Sequence, residues 1–320
     1  GFRLSGMGIE MSSQAQGGGK PLDNIIDGKA IAQSVRDEVR AEAIALKEKY
    51  SEAPGLAVVI VGDRKDSQTY VRNKVKACDE CHIRSVKKEL PENISQELAI
   101  KTVRELNADP QIHAILVQLP LPAHLNEAEI LEEISLEKDV DGFHPTNIGL
   151  LAMRDRHPSA LPCTPAGIME ILKRKEVTIR GSNAVIMGRS NIVGMPVALL
   201  LLQADAHVQI LHSRTPQQEV ERSLGAADIV IGAVGKPNLI KGDWLKPGCV
   251  VIDVGINAVE DSSKKNGYRL VGDVDFQQAK EKASLITPVP GGVGPMTIAM
   301  LLRNTVNLAS KHLKNKDANN

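Results

Sequence analysis

Short, mostly apolar runs recur along the chain and predict strands that are buried on both faces of parallel sheets. These runs occupy residues 56–61, 114–117, 184–187, 207–212, 228–234, 250–254 and 285–290. Apolar residues at helical spacing predict helices over residues 30–50, 67–82, 95–108, 127–134, 166–173 and 297–313, with another that begins near Gly194. This succession of buried strands and helices indicates an α/β fold.

The most informative transition lies between the strand at 184–187 and the helix near Gly194. The strand stops at Gly188, and the order strand, glycine turn, helix is the first half of a βαβ unit. Such a turn directs backbone N–H groups and a helix N-terminus at a phosphate. Gly188 and Gly194 stand six residues apart, so the spacing departs from the usual G-x-G-x-x-G fingerprint. A turn that needs its glycine only for packing is the alternative.

The end of the next strand bears on the kind of nucleotide. NAD-binding folds place an acidic residue there for the ribose 2′-hydroxyl. Here the strand ends in His212-Ser213-Arg214-Thr215, which contains no carboxylate, and Arg189 lies in the first turn. Two cations and a hydroxyl suit a 2′-phosphate and favour NADP over NAD. A solvated loop that happens to be basic is the alternative.

Polar residues at three places in the first half of the chain are candidates for a chemical role. Tyr70 and Lys74 stand four residues apart and therefore share one helix face. Gln118 follows a buried strand, where a polar side chain points into the ligand crevice of an open α/β sheet. Asp139 and Asp141 flank a valine before a glycine and either form a turn or present a carboxylate to a ligand. A surface helix with ordinary lysines, and an amide that satisfies loop backbone, are the simpler interpretations of the first two.

Composition narrows the classes of function. A length of 320 residues with 42% hydrophobic residues fits about two globular domains. The 39 basic and 39 acidic residues cancel, so the chain lacks the charge signature of a nucleic-acid or anionic-membrane binder. No apolar run approaches the ~20 residues of a membrane span. Residues 1–19 contain Ser, Gln and Gly and predict a disordered leader or tag, or the remainder of a targeting segment.

Cysteine content predicts free thiols and no metal. Four cysteines are too few for a disulfide scaffold and favour a reducing compartment. Cys78, Cys81 and His82 spell the haem attachment pattern C-x-x-C-H, but they stand at a predicted helix end in a chain without an export signal. A zinc site would need a second pair of ligands at useful spacing, and none is evident.

Several motifs together resemble one family, the bifunctional methylenetetrahydrofolate dehydrogenase/methenyltetrahydrofolate cyclohydrolases of the FolD type. The most specific are Tyr70-Val-Arg-Asn-Lys74 and the loop Pro288-Val-Pro-Gly-Gly-Val-Gly-Pro-Met-Thr297. The others are Ile115-Leu-Val-Gln-Leu-Pro-Leu-Pro122, Lys138-Asp-Val-Asp-Gly142, Pro162-Cys-Thr-Pro165, Gly188-Arg-Ser-Asn-Ile-Val-Gly-Met-Pro196, Val251-Ile-Asp-Val-Gly255 and Gly272-Asp-Val274. The resemblance covers residues 24 to 313.

The resemblance implies an architecture, an activity and an assembly. It implies two α/β domains with a folate cleft between them, the C-terminal one of the Rossmann type. The first would comprise residues 20–150 plus 297–313, and the NADP-binding domain residues 163–288. The activity would be NADP-dependent oxidation of 5,10-methylenetetrahydrofolate to 5,10-methenyltetrahydrofolate, followed by hydrolysis to 10-formyltetrahydrofolate. The family is typically a homodimer, and we expect an intracellular protein of the cytoplasm, or of the mitochondrion or plastid if residues 1–19 are a trimmed transit peptide.

The resemblance also assigns roles to residues. Lys74 would be the catalytic acid–base, Gln118 would hydrogen-bond it, Tyr70 would stack on the folate and Asp141 would accept from pterin nitrogens. The remaining substrate-binding residues would be Pro290, Gly291 and Thr297, and the cofactor-binding residues Gly188, Arg189, Ser190, Ser213, Gly235, Gly255 and Ile256. No metal is implied.

Three alternatives stay open at this point. A monofunctional dehydrogenase of the same family would share every motif. A two-domain NADP oxidoreductase of the shikimate dehydrogenase type would explain the βαβ half but neither the 288–297 loop nor Gln118. A binding module without turnover would not need Lys74, Gln118 and Asp141 together.

Overall fold

A computed structural model describes residues 24–264 and 267–318, with the backbone alone at 65 and 66. The predicted leader at 1–19 lies outside these residues. The chain forms two parallel sheets flanked by helices, which confirms the predicted α/β class. The predicted domain boundaries stay a prediction.

The first sheet has three parallel strands in the order β2-β1-β3. They are β1 Gly55–Val61, β2 Arg84–Leu90 and β3 Ala114–Val117. All seven residues of β1 are buried because the strand is central and apolar throughout. The flanking helices are α1 Gly28–Tyr50, α2 Lys65–Glu80, α3 Gln96–Ala108, α4 Glu127–Glu132 and α5 Pro145–Ala152.

The second sheet has five parallel strands in the order β10-β7-β6-β4-β5. They are β4 Asn183–Met187, β5 His207–Leu211, β6 Ile229–Gly232, β7 Val250–Asp253 and β10 Leu285–Ile286. The chain runs outward from β4 in both directions, which makes β4 the switch point of a doubly wound sheet, where such folds bind ligands. The helices here are α6 Cys163–Arg174, α7 Gly194–Gln203, α8 Gln217–Ala226, α9 Phe276–Lys282 and a short 3-10 helix Gly242–Trp244.

Some elements differ from the sequence expectation. Around 261–267 the chain connects an antiparallel pair, β8 Asn257–Glu260 and β9 Tyr268–Val271. The last helix, α10 Val293–Ala318, begins four residues before the predicted Thr297. It can do so because Pro295 lies in the first turn, where a missing N–H costs no helical hydrogen bond.

Helix α10 ties the two sheets together. It packs against α1 and α6, and one buried cluster contains residues of both sheets, such as Val58 and Ile186. Ile25, near the start of the described chain, pairs with Ile286 of the second sheet. The segments that follow β7 and β10 border a cavity together with α1 and α2. No helix in the described part of the chain is long and apolar enough to cross a membrane.

Candidate active site

Lys74 and Gln118 meet at the carboxyl end of β3. Lys74 is half-buried on α2, and its Nζ donates a hydrogen bond of 3.0 Å to Oε1 of Gln118. The backbone N–H of Gln118 donates to the carbonyl of Val59 at 2.9 Å, which fixes it at the strand end. Its Nε2 donates to the carbonyl of Leu119 at 2.8 Å. Because the amide nitrogen is occupied there, the amide oxygen faces the lysine. The contact that the resemblance implied is present, while its catalytic role stays a prediction.

The two aspartates of the Lys138–Gly142 motif do different things. Asp139 is buried and shapes the turn, because its carboxylate accepts from the N–H of Gly142 at 3.1 Å and of His144 at 2.9 Å. It also accepts from Nδ2 of Asn147 at 2.7 Å. Asp141 lines a cavity of about 680 Å³, which Asp139 lines as well. The turn is present, while the presentation of the Asp141 carboxylate to a ligand stays a prediction.

The Asp141 carboxyl lies in a poorly solvated position beside Lys74. Burial raises its pKa from 3.8 to about 6, against the opposing effect of the Lys74 charge. The nearest recorded polar contact of its Oδ1 is the Cys163 thiol, at 4.0 Å. Lys74 thus lies near both Gln118 and Asp141.

A cavity of about 580 Å³ opens between the two sheets. Tyr70, which is 49% exposed, lines it from α2. From the other side, the predicted site residues Gly255, Ile256, Pro290 and Gly291 line the same cavity. Tyr70 is thus brought together with residues of both predicted ligand groups.

The mouth of this cavity carries cations that the sequence analysis did not single out. Lys29 and Arg36 reach it from α1, and Lys76 from α2. The Arg36 Nε is buried without a hydrogen-bond partner among the described residues. These cations are grouped by the packing of α1 against the rest of the fold, so no local sequence pattern predicts the group.

Thr297 on α10 contacts the start of α6, and its predicted role in substrate binding stays a prediction. Its hydroxyl lies 2.9 Å from that of Thr164, at the start of α6. In the described chain, Thr297 lines neither of the two cavities above. Lys74 and Gln118 also line neither of them. Thr164 belongs to the Pro162–Pro165 motif, which the sequence analysis used only as part of the family resemblance.

A third cavity, of about 430 Å³, lies at the switch point of the second sheet. Gly188, Arg189, Ser190 and Ser213 all line it, and their predicted role in cofactor binding stays a prediction. Gly188 has φ +121°, and a Cβ there would lie 2.1 Å from the carbonyl of residue 233, so only glycine fits. The second cation at this cavity is Lys236 and not Arg214, which does not line it.

Ser190 also shapes the end of helix α7. Its Oγ accepts from the N–H groups of Val193 at 3.2 Å and Gly194 at 3.4 Å. These donors stand at the helix N-terminus, next to the 430 Å³ cavity. Ser190 therefore caps the N-terminus of α7 and also lines the cavity.

Two buried aspartates accept hydrogen bonds from the backbone of Gly235 and Gly255, which are also predicted to bind the cofactor. Asp273 accepts from the N–H of Gly235 at 2.9 Å, and Asp253 accepts from the N–H of Gly255 at 3.0 Å. Burial raises the pKa of Asp253 to about 6, although three backbone N–H groups favour its ionised form. A carboxylate at or just after a buried strand is a signal that the sequence analysis could have used.

The thiols are buried and free. Cys78, Cys81, Cys163 and Cys249 form no disulfide, and burial raises the pKa of Cys78 to about 12. Among the residues that the structure describes, no group of three or more His, Cys, Asp or Glu side chains could hold a metal ion. The predicted absence of a metal stays a prediction.

Comparison with known proteins agrees with this arrangement. Residues 26–141 match the family model described as tetrahydrofolate dehydrogenase/cyclohydrolase, catalytic domain, and residues 162–313 match that of the NAD(P)-binding domain. Bifunctional protein FolD 2 of Arabidopsis thaliana is 61% identical over 90% of this chain and 95% of its own length. Chloroplastic bifunctional protein FolD 4 of the same plant is 58% identical over 90% of this chain and 79% of its own.

A solved structure is similar over the same extent. The FolD methylenetetrahydrofolate dehydrogenase-cyclohydrolase of Trypanosoma brucei, complexed with NADP cofactor and inhibitor, superposes with a TM-score of 0.86 at 46% identity. The match covers 90% of this chain and 97% of the other. The two matched domains and the extent of these similarities mean that this chain belongs to the tetrahydrofolate dehydrogenase/cyclohydrolase family of FolD-type enzymes.

Proposed function

We propose that this chain oxidises 5,10-methylenetetrahydrofolate with NADP and then hydrolyses the 5,10-methenyl product to 10-formyltetrahydrofolate. The observation that carries the proposal is the Lys74–Gln118 hydrogen bond of 3.0 Å beside Asp141. One turn before Lys74 on α2, Tyr70 lines a cavity whose other wall comes from the nucleotide-side loops. An amine, an amide and a carboxyl in one place suit a reaction that needs a proton moved and a heterocycle oriented.

The first step needs alignment more than acid–base help. NADP, when bound, would supply the acceptor for a hydride from the methylene carbon, which would leave the folate as a methenyl cation. No proton is exchanged with the protein in that transfer. Tyr70 on one wall and Gly255 and Ile256 on the other line the same cavity, which favours close approach of the two reactants.

The second step is where Lys74 acts. Water adds to the methenyl carbon and loses one proton to give a hydroxyl group. The second proton then leaves that oxygen as the carbonyl forms, N5 takes up one proton as the carbon–N5 bond breaks, and the formyl group stays on N10 with one proton released overall. A positioned amine can accept the first proton and return one to N5, and such help is typically worth about 10²–10⁴-fold. Gln118 restrains the lysine, because its amide is held by the Leu119 carbonyl.

The other predicted substrate residues surround the remainder of the folate. Asp141 would accept from pterin N–H groups, a match of a carboxylate to donors. Tyr70 would stack on the folate, Pro290 and Gly291 would line its path, and Thr297 would hold the joint between the domains through Thr164. The cations Lys29, Arg36 and Lys76 at the cavity mouth suit the carboxylates of the substrate's glutamate portion.

The nucleotide would occupy the cleft of the second sheet. Arg189, Ser190 and Ser213, with Lys236 nearby, offer cations and hydroxyls and no carboxylate to a 2′-phosphate. These side chains fit NADP better than NAD, because a ribose 2′-hydroxyl would lack its acidic acceptor there. Gly188, Gly235, Gly255 and Ile256 would allow the backbone to approach the cofactor.

Assembly and location are further parts of the proposal. We expect a homodimer, as the resemblance implies, and its mass can be measured by analytical ultracentrifugation. One similar protein is named as chloroplastic, so a targeting role for the leader is testable by fusing residues 1–23 to a fluorescent protein and following its location in plant cells.

The decisive experiment is a paired assay on wild type and Lys74→Met. One arm follows NADPH formation from methylenetetrahydrofolate, with NAD as the control cofactor, and the other follows loss of methenyltetrahydrofolate. Lys101→Met, on the exposed face of α3, is the matched control. We expect the methionine at 74 to abolish the hydrolytic arm while Lys101→Met leaves both arms intact.

Other outcomes would change the proposal in defined ways. A wild type active only in the first arm would be a monofunctional dehydrogenase. Equal rates with NAD and NADP would refute the 2′-phosphate assignment. A wild type inactive in both arms would leave a binding module.

A further inference from the structure

Asp273 is a fully buried carboxylate to which the resemblance assigns no role. Its side chain is 0% exposed, and it follows β9 directly in the Gly272–Val274 motif. Its Oδ2 accepts from the N–H groups of Val234 at 2.6 Å and Gly235 at 2.9 Å. Its Oδ1 accepts from the N–H of Lys236 at 3.0 Å and from Nδ2 of Asn257 at 2.9 Å. One carboxylate thus holds three successive backbone donors of a single loop.

The loop geometry depends on this carboxylate. Three consecutive N–H groups converge on one side chain because Gly235 has φ +67°, a left-handed conformation that glycine adopts without strain. On the other side, a Cβ on Gly255 would lie 2.2 Å from Asp273 Oδ1, so the next loop rests directly on the same group. Asp273 therefore contacts the loops that follow β6 and β7.

Asp253 holds Asp273 in turn. The N–H of Asp273 donates to Asp253 Oδ1 at 2.9 Å, and that of Val274 donates to Asp253 Oδ2 at 2.9 Å. The N–H of Gly255 donates to Asp253 Oδ1 at 3.0 Å. The two carboxylates are linked through backbone groups, and together they fix the ends of three strands relative to one another.

These loops border the proposed nucleotide site. Val234 and Lys236 line the 430 Å³ cavity that holds Arg189 and Ser213. We propose that Asp273 is a positioning residue for the nicotinamide nucleotide, acting through the 234–236 loop and required for the dehydrogenase step but not for hydrolysis. This inference rests on the proposed function, since it needs a cofactor-dependent and a cofactor-independent reaction in one protein.

Asparagine is the informative replacement for Asp273 because it has nearly the same shape but replaces one acceptor oxygen by a donor NH2 group. Its amide nitrogen is a donor, so in Asp273→Asn at least one edge that now accepts would face N–H groups. Buried donors without a partner are costly, and the loop would shift to find partners. We expect the KM for NADP to rise by about tenfold or more, which corresponds to about 1.4 kcal/mol of lost binding if KM follows affinity.

The test compares two activities of each variant. NADPH formation from methylenetetrahydrofolate gives kcat and KM for NADP, and hydrolysis of methenyltetrahydrofolate is measured without nucleotide. Asp275→Asn is the matched control, two residues away, where the side chain only caps α9 through the N–H of Gln278. We expect Asp273→Asn to raise the KM for NADP with hydrolysis within about twofold of wild type, and Asp275→Asn to change neither.

A second variant keeps the inference testable if Asp273→Asn does not fold. Asn257→Ala removes one of the four donors and leaves the carboxylate in place. We expect it to raise the KM for NADP by about threefold with hydrolysis unchanged. An unchanged KM in either folded variant, or equal losses in both activities, would overturn the positioning role. A wild type without NADP-dependent turnover would instead refute the proposed function, so the two failures are distinguishable.

Discussion

Replacing Asp141 by asparagine should stabilise the chain even as it weakens folate binding. Burial raises the pKa of the Asp141 carboxyl from 3.8 to about 6, so ionising it costs the folded state free energy. A shift of about two pKa units corresponds to roughly 3 kcal/mol at about 1.4 kcal/mol per unit. Asparagine has nearly the same shape and carries no charge, so it avoids this cost.

The stability that Asp141→Asn gains should depend on pH. The direction of this dependence follows from the number of protons that the folded and unfolded states bind. Between about pH 3.8 and pH 6 the folded state keeps a proton that the unfolded state has released, so this group lowers the free energy of unfolding as pH rises. Above about pH 6 both states are ionised and the full cost of roughly 3 kcal/mol applies. Below pH 3.8 both states are protonated and the cost vanishes.

Urea unfolding of wild type and Asp141→Asn at two pH values checks this reasoning. We expect the variant to be more stable by roughly 3 kcal/mol at pH 8 and by roughly 1 kcal/mol at pH 4.5. Asp275→Asn is the control and should gain nothing at either pH. A gap that does not change with pH, or a variant less stable than wild type at pH 8, would refute the assignment of a buried, costly carboxylate.

Two further predictions concern the cofactor and the fold. Arg189→Ala should raise the KM for NADP by about ten- to a hundredfold, because it removes a charge-assisted hydrogen bond to the 2′-phosphate. Turnover with NAD should stay unchanged. Parallel effects on both cofactors in steady-state assays would contradict a 2′-phosphate contact. Lys138→Met should lower the free energy of unfolding by about 2–4 kcal/mol, because the buried Nζ of Lys138 donates to three backbone carbonyls at the end of α3. Lys101→Met, which lacks such contacts among the described residues, should unfold in urea like wild type, and a similar midpoint for both variants would show that Lys138 contributes little.

The strands that sequence predicts well are those whose surroundings impose one residue type. β1 and β4 lie inside parallel sheets, and almost every position is apolar. The apolar pattern does not predict β2, because this edge strand has mostly exposed or half-buried side chains. Its sequence is Arg-Ser-Val-Lys-Lys-Glu-Leu. The β8–β9 pair is not predicted for a similar reason, since only Val271 among its residues is fully buried.

The residues of the candidate site also differ in whether the sequence alone predicts them. Lys74 and Gln118 are found from sequence because a family motif and a strand end mark them, and their contact across 44 positions follows once α2 and β3 are packed. The grouping of Lys29 and Arg36 at the cavity mouth has no local signal, because it arises from the packing of α1. The role of Asp273 has no local sequence signal either, since its partners come from the 234–236 loop and from Asn257 of β8, which only folding brings together.

The position of the cleft explains why one chain could carry both reactions. Tyr70 stands one turn before Lys74 on α2, and it faces the cavity that Gly255 lines from the nucleotide side. A folate stacked on Tyr70 would therefore have the hydride acceptor to one side and the Lys74–Gln118 pair one helical turn along α2. The methenyl product of the first step need not leave before water attacks the same carbon. Both steps then depend on one placement of the folate, whereas only the first depends on the loops that Asp273 holds.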